Sequence, residues 1–312
     1  MDALLSVLFI SFPADSGKGT YCILNDIPFC ILPFLFYLCR INIKKSKMER
    51  HPVILSIAGS DCSGGAGIQA DIKTISALGG YAASAITAVT VQNTLGVRAV
   101  HAIPPEIVCG QIEAVMEDLQ PVAVKIGMVS DKELINIIAE KLKEYKPKNI
   151  VLDTVMVATS GSPLLKPDSV NALIEELIPL ATVITPNIPE AEVLGNCKIE
   201  CEKDLKDTAI ALYEKYGCNV LVKGGHLNDT ATDILCCNGE ITEFKGERID
   251  NNNTHGTGCT LSSAIACNLA KGLDLPDAIR NSKEYLVGAL KYNLNIGKGN
   301  GPLNHCYKIM ED

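Results

Sequence analysis

The sequence predicts an α/β domain built on a mostly parallel sheet with helices on both faces. From residue 52 onward, short apolar runs rich in Val and Ile alternate with helical stretches. The runs are almost continuously apolar, as in strands covered on both sides. Gly-rich, small or polar residues follow most of them, at the strand ends where such sheets bind ligands.

The elements read in order. "VILSIA" (53–58) is a strand that runs into the turn-rich "GSDCSGGAG" (59–67). Ile68, Ile72, Ile75 and Leu78 then share one helix face, closed by Gly79-Gly80. "SAITAVTV" (84–91) is a buried strand, and Pro104-Pro105 open a helix to about Leu119. Strands follow at 123–127, 149–153 and 182–186, separated by helical stretches at 131–144 and 167–178. A helix over 202–216 leads to "VLVKGG" (220–225), and "TDILCC" and "ITEF" form a hairpin around Asn238-Gly239. Helices at 257–271 and about 276–293 finish the chain.

Residues 1–48 are of another kind. "LLSVLFISF" and "IPFCILPFLFYLC" are apolar without a period, and Arg40, Lys44, Lys45 and Lys47 follow them. A signal peptide does not fit, because Asp2 opens the chain and no small-residue cleavage site follows. A membrane tether over 21–39 is long enough but carries Asn25, Asp26, Pro28 and Pro33. A small additional element is a further reading. The favoured one is upstream sequence read in frame before a start at Met48. "GKG" (17–19) lacks the other residues of a P-loop. The expected division is therefore an extension, 1–48, and one domain, 49–312.

The 312 residues carry 28 Lys/Arg against 36 Asp/Glu, a net charge of −8. Five Lys/Arg and three Asp/Glu fall in residues 1–48, so the remainder carries −10. That balance argues against nucleic acid as a partner. The 13 cysteines are scattered rather than paired in CxxC halves, which favours reduced thiols over zinc.

The strongest chemical signal is "NTHGTGCTLSSA" (253–264). Its Gly-x-Gly step opens a helix, so backbone N–H groups from Gly256 to Cys259 converge into an anion hole. Cys259 falls in the first turn, where a thiolate is favoured; a packed structural cysteine is the competing reading. Lys223, at a strand end before Gly224-Gly225, reaches a phosphate or lies solvated on the surface. "SGGAG" has dinucleotide-like spacing but lacks the acidic residue at the next strand end, where Gln92 stands.

Taken together, "AGSDCSGGAGIQADIKTISALGGYAASAITAVTVQNTLGV" (58–97), "KIGM" (125–128), "VLDTVMVATSGSPLL" (151–165), "TPNIPEAE" (185–192), "VKGGH" (222–226) and "NTHGTGCTLSSAIA" (253–266) resemble the hydroxymethylpyrimidine/phosphomethylpyrimidine kinases of thiamine biosynthesis. The resemblance covers about residues 52–305. It implies a ribokinase-like three-layer α/β/α sandwich with a mostly parallel central sheet. It also implies a kinase that uses ATP and Mg²⁺ to phosphorylate the pyrimidine alcohol and then its monophosphate. By the same resemblance, Gln92 reads the pyrimidine edge, Asp71 accepts from its amino group, and Gly59, Met128 and Val155 line the ring. Asp153 and Glu190 match acidic positions near Mg²⁺ and phosphate. Lys223, Asn253 and Thr254 face the ATP phosphates, and Gly256, Thr257, Gly258 and Cys259 supply the anion hole and catalytic base. Many sugar kinases of this fold carry Asp where Cys259 stands, which favours the pyrimidine branch. A homodimer in the cytoplasm is expected, with no membrane partner unless residues 1–47 are a tether. The alternatives are a pyridoxal/pyridoxine kinase on the same scaffold and, in another class, a tethered non-catalytic pyrimidine binder.

Overall fold

The computed structural model describes residues 9–11, 21–23, 51–156, 167–225, 232–246, 249, 251 and 253–309. The chain divides into two compact units, Met1–Arg50 and His51–Asp312. In the first, β1 (Phe9–Ser11) pairs antiparallel with β2 (Tyr21–Ile23). Most of the 21–39 stretch, the GKG tripeptide and Met48 lie outside the described residues. Among the described residues, no helix is long and apolar enough to cross a membrane.

The second unit is built on a nine-stranded sheet. Its strands are β3 (Val53–Asp61), β4 (Tyr81–Asn93), β5 (Gly96–Ala102), β6 (Ala123–Ile126), β7 (Asn149–Leu152), β8 (Val183–Ile184), β9 (Asn219–Val222), β10 (Asp233–Cys237) and β11 (Glu240–Phe244). They lie in the order β11-β10-β9-β8-β7-β6-β3-β4-β5. Strands β9 through β4 in that order are all parallel, whereas β10, β11 and β5 are antiparallel additions at the two ends. Because the chain passes from β3 to β4 on one side and later to β6 on the other, the strand order reverses at β3. In open α/β sheets such a reversal opens a crevice at the carboxyl ends of the strands.

Alternation along the strands divides the core. Leu55, Ile57, Val124, Ile126, Ile150, Leu152, Val220 and Val222 face one layer of helices. This layer comprises α2 (Pro105–Asp118), α3 (Lys132–Tyr145), α4 (Pro167–Ala172), α5 (Ile188–Gly195) and α6 (Glu202–Tyr216). Ile54, Ala123, Val151, Val183 and Leu221 face the other, where Ile75, Leu261 and Ile265 pack from α1 (Gly67–Ala77) and α7 (Thr257–Ala270), beside α8 (Leu275–Lys291). Local signals set several helix ends. Asp131 accepts from Leu134 N at 3.0 Å to begin α3, and Gly217, at φ +68°, ends α6.

Some elements differ from the sequence reading. Strand β4 runs from 81 to 93, and β5 follows it as an unanticipated edge strand. Its residues are mostly exposed, so no buried apolar run marks it. The short helix α5, absent from the sequence reading, is started by a capping box between Asn187 and Glu190. The 167–178 helix passes from α to π to 3₁₀ geometry toward Pro179, which lacks the N–H needed to extend the ladder.

Candidate active site

The strand ends gather polar residues around the N-terminus of α7. Gly256 caps that helix at φ +87° and provides no side-chain acceptor, so no side chain caps the N–H groups of the first turn. Only glycine fits there, because a Cβ would lie 1.9 Å from the Gly65 carbonyl oxygen. At Gly258 a Cβ would lie 3.3 Å from Asp153 Oδ2 and 3.6 Å from Lys223 Nζ. The helix end, the residue after β7 and the residue after β9 therefore meet at one point.

Lys223 Nζ donates to Asp153 Oδ1 at 3.0 Å, Thr185 Oγ1 donates to the same oxygen at 3.1 Å, and Ser262 Oγ reaches Oδ2 at 3.4 Å. Burial pushes the Asp153 carboxyl up, but the Lys223 and Lys125 ammonium groups hold it below the ordinary carboxylate range. Glu190 is buried as well. Its Oε2 accepts from Thr154 Oγ1 and Asn187 N, and its Oε1 from Met156 N, at 3.2, 2.9 and 3.4 Å. Burial raises its pKa, and the charge of Asp153 adds to the rise while Lys223 opposes it. Glu190 thus has a structural task, starting α5, alongside the expected one. Among the described residues, no cluster of three or more His, Cys, Asp or Glu could by itself hold a metal.

Cys259 is half-buried. Burial pushes its thiol up, Lys125 draws it down, and Asp71 and Asp153 push it up again. The helix N-terminus led to the expectation of a favoured thiolate; burial instead shifts the Cys259 thiol upward, with Lys125 opposing the shift.

Asp71 is fully buried, and its carboxylate accepts from Lys125 Nζ at 2.9 and 2.8 Å, Ser263 Oγ at 2.7 Å and Ser56 Oγ at 2.5 Å. These partners engage both oxygens, so Asp71 anchors the fully buried Lys125 ammonium of β6. Sequence reasoning missed Lys125. A lysine inside the apolar strand "AVKIG" was the available signal, since a buried ammonium requires a buried counter-charge.

Gln92 stands at the end of β4, half-buried. Its carboxamide lies 3.1 Å from His255 Nε2, and that nitrogen lies 2.8 Å from Asp61 Oδ2. Ser63 N and Oγ, Gly65 N and Ala66 N also donate to Asp61. Although burial pushes Asp61 up, the bonds from His255, Ser63 and Ala66 hold it far below the usual range. Neither Asp61 nor His255 was singled out from the sequence, although both lie within the quoted motifs. His255 precedes Gly256 directly, so Gln92 is linked to the α7 N-terminus through one side chain.

The remaining expected residues fall as follows. A Cβ on Gly59 would lie 2.5 Å from Met128 Cε, so these two residues are in contact at the switch between β3 and β6. Val155 is half-buried just beyond Asp153. The Thr254 carbonyl accepts from Thr257 N at 3.3 Å, at the entry to α7. Asn253 is buried and bonded to Asn293, which ties the α7 entry to the segment after α8. Its carboxamide thus donates to the loop after α8. A cleft of about 440 Å³ opens beside the loop after β3, lined by Ser63, Asn93, Thr94, Leu95, Ile296 and Lys298.

Comparison with known proteins gives a consistent result. The family profile described as phosphomethylpyrimidine kinase matches residues 61–304. A hydroxymethylpyrimidine/phosphomethylpyrimidine kinase of Rhizobium meliloti is 50% identical over 264 residues, covering 83% of this chain and 99% of the relative. A protein of Geobacter sulfurreducens named a thiamine biosynthesis bifunctional protein is 46% identical, with 81% of this chain matched to 52% of its length. The crystal structure of a phosphomethylpyrimidine kinase from Clostridium difficile superposes with TM-score 0.69 at 49% identity, covering 76% of this chain and 98% of that one. An ADP complex of Bacillus subtilis pyridoxal kinase superposes with TM-score 0.78 at 34% identity, covering 83% and 99%.

Proposed function

This chain belongs to the phosphomethylpyrimidine kinase family, and from that membership we infer what its site does. It is a kinase of thiamine biosynthesis that phosphorylates 4-amino-5-hydroxymethyl-2-methylpyrimidine and then the resulting monophosphate, with ATP as the donor. The observation that carries the site assignment is the meeting of Gly258, Asp153 and Lys223 at the start of a helix without a side-chain cap.

Phosphoryl transfer is chiefly positioning and charge stabilisation. In this reading the N–H groups of Gly256 to Cys259 receive the transferring phosphoryl oxygens, and Lys223 turns from Asp153 toward the ATP phosphates. Asn253 and Thr254 shape that entry. Asp153 and Glu190, two buried carboxylates that sense each other's charge, suit a Mg²⁺ ion that takes its other ligands from phosphate and water. Bound there, Mg²⁺ would draw off negative charge developing on the phosphate oxygens. Gln92 reads the pyrimidine edge, and Gly59, Met128 and Val155 wall the ring. In the first transfer the hydroxymethyl oxygen loses a proton, and Cys259 as thiolate accepts it, the charged form being favoured by Lys125. The second acceptor is a phosphate oxygen, already anionic, which needs no base.

The division at residue 48 or 49, a homodimer and a cytoplasmic setting belong to the same reading. The ten cysteines among the described side chains are all free, in keeping with a reducing compartment. Edge strand β5 and its neighbour β4 expose Val89, Val91, Val97 and Val100, an apolar edge that a second copy would cover. The likeness to a pyridoxal kinase favours one second reading, pyridoxal as an alternative acceptor.

The test is purified protein with ATP, Mg²⁺ and the pyrimidine alcohol, the mono- and diphosphate products being separated. Sequential appearance of both is expected. Formation of neither, or faster turnover of pyridoxal, would overturn the reading.

A further inference from the structure

The polar groups around Gln92 pose a hydrogen-counting problem whose solution gives His255 a role. As placed, the Gln92 amide nitrogen is 3.1 Å from His255 Nε2, and its oxygen is 3.2 Å from Thr90 Oγ1. Thr90 Oγ1 is also 3.0 Å from the Ser60 carbonyl oxygen. A hydroxyl has one hydrogen. The Ser60 carbonyl and, as placed, the Gln92 oxygen can both only accept, so they compete for that one hydrogen. At the opposite end, Asp61 is a carboxylate, and Oδ2 at 2.8 Å requires a hydrogen on His255 Nε2. An amide nitrogen facing that N–H would set donor against donor.

Both conflicts vanish if the carboxamide is turned over, a choice that hydrogen bonding rather than shape must settle. Its N–H then donates to Thr90, and its oxygen shares the His255 Nε2 hydrogen with Asp61. The rest of the site holds this arrangement. Cys62 Sγ contacts the Gln92 backbone on both sides, at 3.1 Å from its carbonyl oxygen and 3.4 Å from its nitrogen. Gly65 leaves room for the imidazole, since a Cβ there would lie 2.4 Å from His255 Cδ2.

We propose that Asp61 and His255, with Thr90, fix which way the Gln92 carboxamide faces, making His255 the positioning residue for selection of a 4-amino over a 4-oxo pyrimidine. The proposal rests on the reading that Gln92 contacts the pyrimidine edge. An amide has two N–H groups and two oxygen lone pairs. Thr90 and His255 engage one of each, leaving one donor and one acceptor for the ligand in a fixed order. A 4-aminopyrimidine offers an amino donor beside a ring-nitrogen acceptor. Its 4-oxo analogue offers a carbonyl acceptor beside a ring N–H, the reverse order. A locked amide matches the first and opposes the second, whereas a free amide turns over to serve either.

The experiment compares kcat/KM for 4-amino- and 4-oxo-5-hydroxymethyl-2-methylpyrimidine, with ATP and Mg²⁺, in the parent protein, His255→Leu, His255→Gln, Thr90→Val and Gln92→Leu. His255→Leu is expected to reduce the preference for the amino compound about tenfold, mainly through KM. His255→Gln places an N–H donor near the position of Nε2 and should restore most of the preference, which a role limited to packing would not produce. If His255→Leu fails to fold, the isosteric Thr90→Val carries the same test. An undiminished preference in folded His255→Leu or Thr90→Val, or no rescue in folded His255→Gln, would overturn the proposal. Loss of preference in Gln92→Leu alone would overturn only the positioning role. If Gln92→Leu keeps parental KM and preference, the assignment of Gln92 itself fails.

Discussion

Lys223 and Asp153, 70 residues apart in the chain, form an ion pair with an Nζ to Oδ1 distance of 3.0 Å at the start of α7. Their strands are separated in the sheet by β8 alone, so the pair is fixed by topology rather than by flexible loops. In the proposed reading, Lys223 meets the donor phosphates while Asp153 faces their counter-ion.

Replacing Lys223 with Met is expected to lower kcat at least a hundredfold and to destabilise the protein by about 3 kcal/mol at pH 7, because it strands a buried carboxylate. In the parent, Asp153 has a depressed folded pKa. Its stabilising contribution is present above the unfolded value of about 3.9 and is lost as pH falls through the folded one. In the variant, burial lacks its main opponent and the charged form costs stability until it is protonated. The difference between the two proteins in urea unfolding should therefore be largest at pH 7 and shrink toward pH 4. A difference independent of pH would count against the pairing.

Cys259→Ala should slow transfer to the alcohol about a hundredfold while leaving transfer to the monophosphate within a few-fold. Since burial raises the thiol, the parent's first transfer should speed up with rising pH above neutrality, and the variant should lose that rise. Separate single-turnover measurements of the two steps are the check. Equal losses would leave Cys259 as part of the anion hole only.

Gln92→Leu should weaken binding of the pyrimidine by about 1–3 kcal/mol, since it strands polar groups of the ligand. KM for ATP should be unaffected. Isothermal titration with the pyrimidine alcohol measures the change directly.

Asp71→Asn breaks a fully buried pair and leaves the Lys125 ammonium uncompensated. A loss of about 3–5 kcal/mol in unfolding free energy is expected. If the variant is as stable as the parent but binds the pyrimidine poorly, Asp71 faces the substrate after all.

Much of the architecture was legible because buried parallel strands announce themselves as unbroken apolar runs, and each ended near a residue that the site uses. Lys223 was readable as the residue after such a run, and Gly256 and Gly258 as a Gly-x-Gly step that opens a helix. Features decided by long-range pairing were not. Lys125 acquires meaning only from Asp71, 54 residues away, and His255 only from Asp61, 194 residues away. The buried donors to Asp71 and the capping role of Glu190 were not readable, because a carboxylate's sequence position does not reveal which donors it meets. The upward shift of the Cys259 thiol was hidden for a similar reason: a helix N-terminus can be recognised in sequence, but the depth of its burial cannot. Strand β5 escaped because an exposed edge strand has no buried face to impose a pattern.

The most direct measurement is a crystal structure with a non-hydrolysable ATP analogue, Mg²⁺ and the pyrimidine alcohol. The terminal phosphate is expected within about 3 Å of the N–H groups of Gly258 and Cys259, with Lys223 on the phosphates and the pyrimidine edge on Gln92. A triphosphate bound away from the start of α7, or a ring that does not touch Gln92, would contradict the assignment of this site.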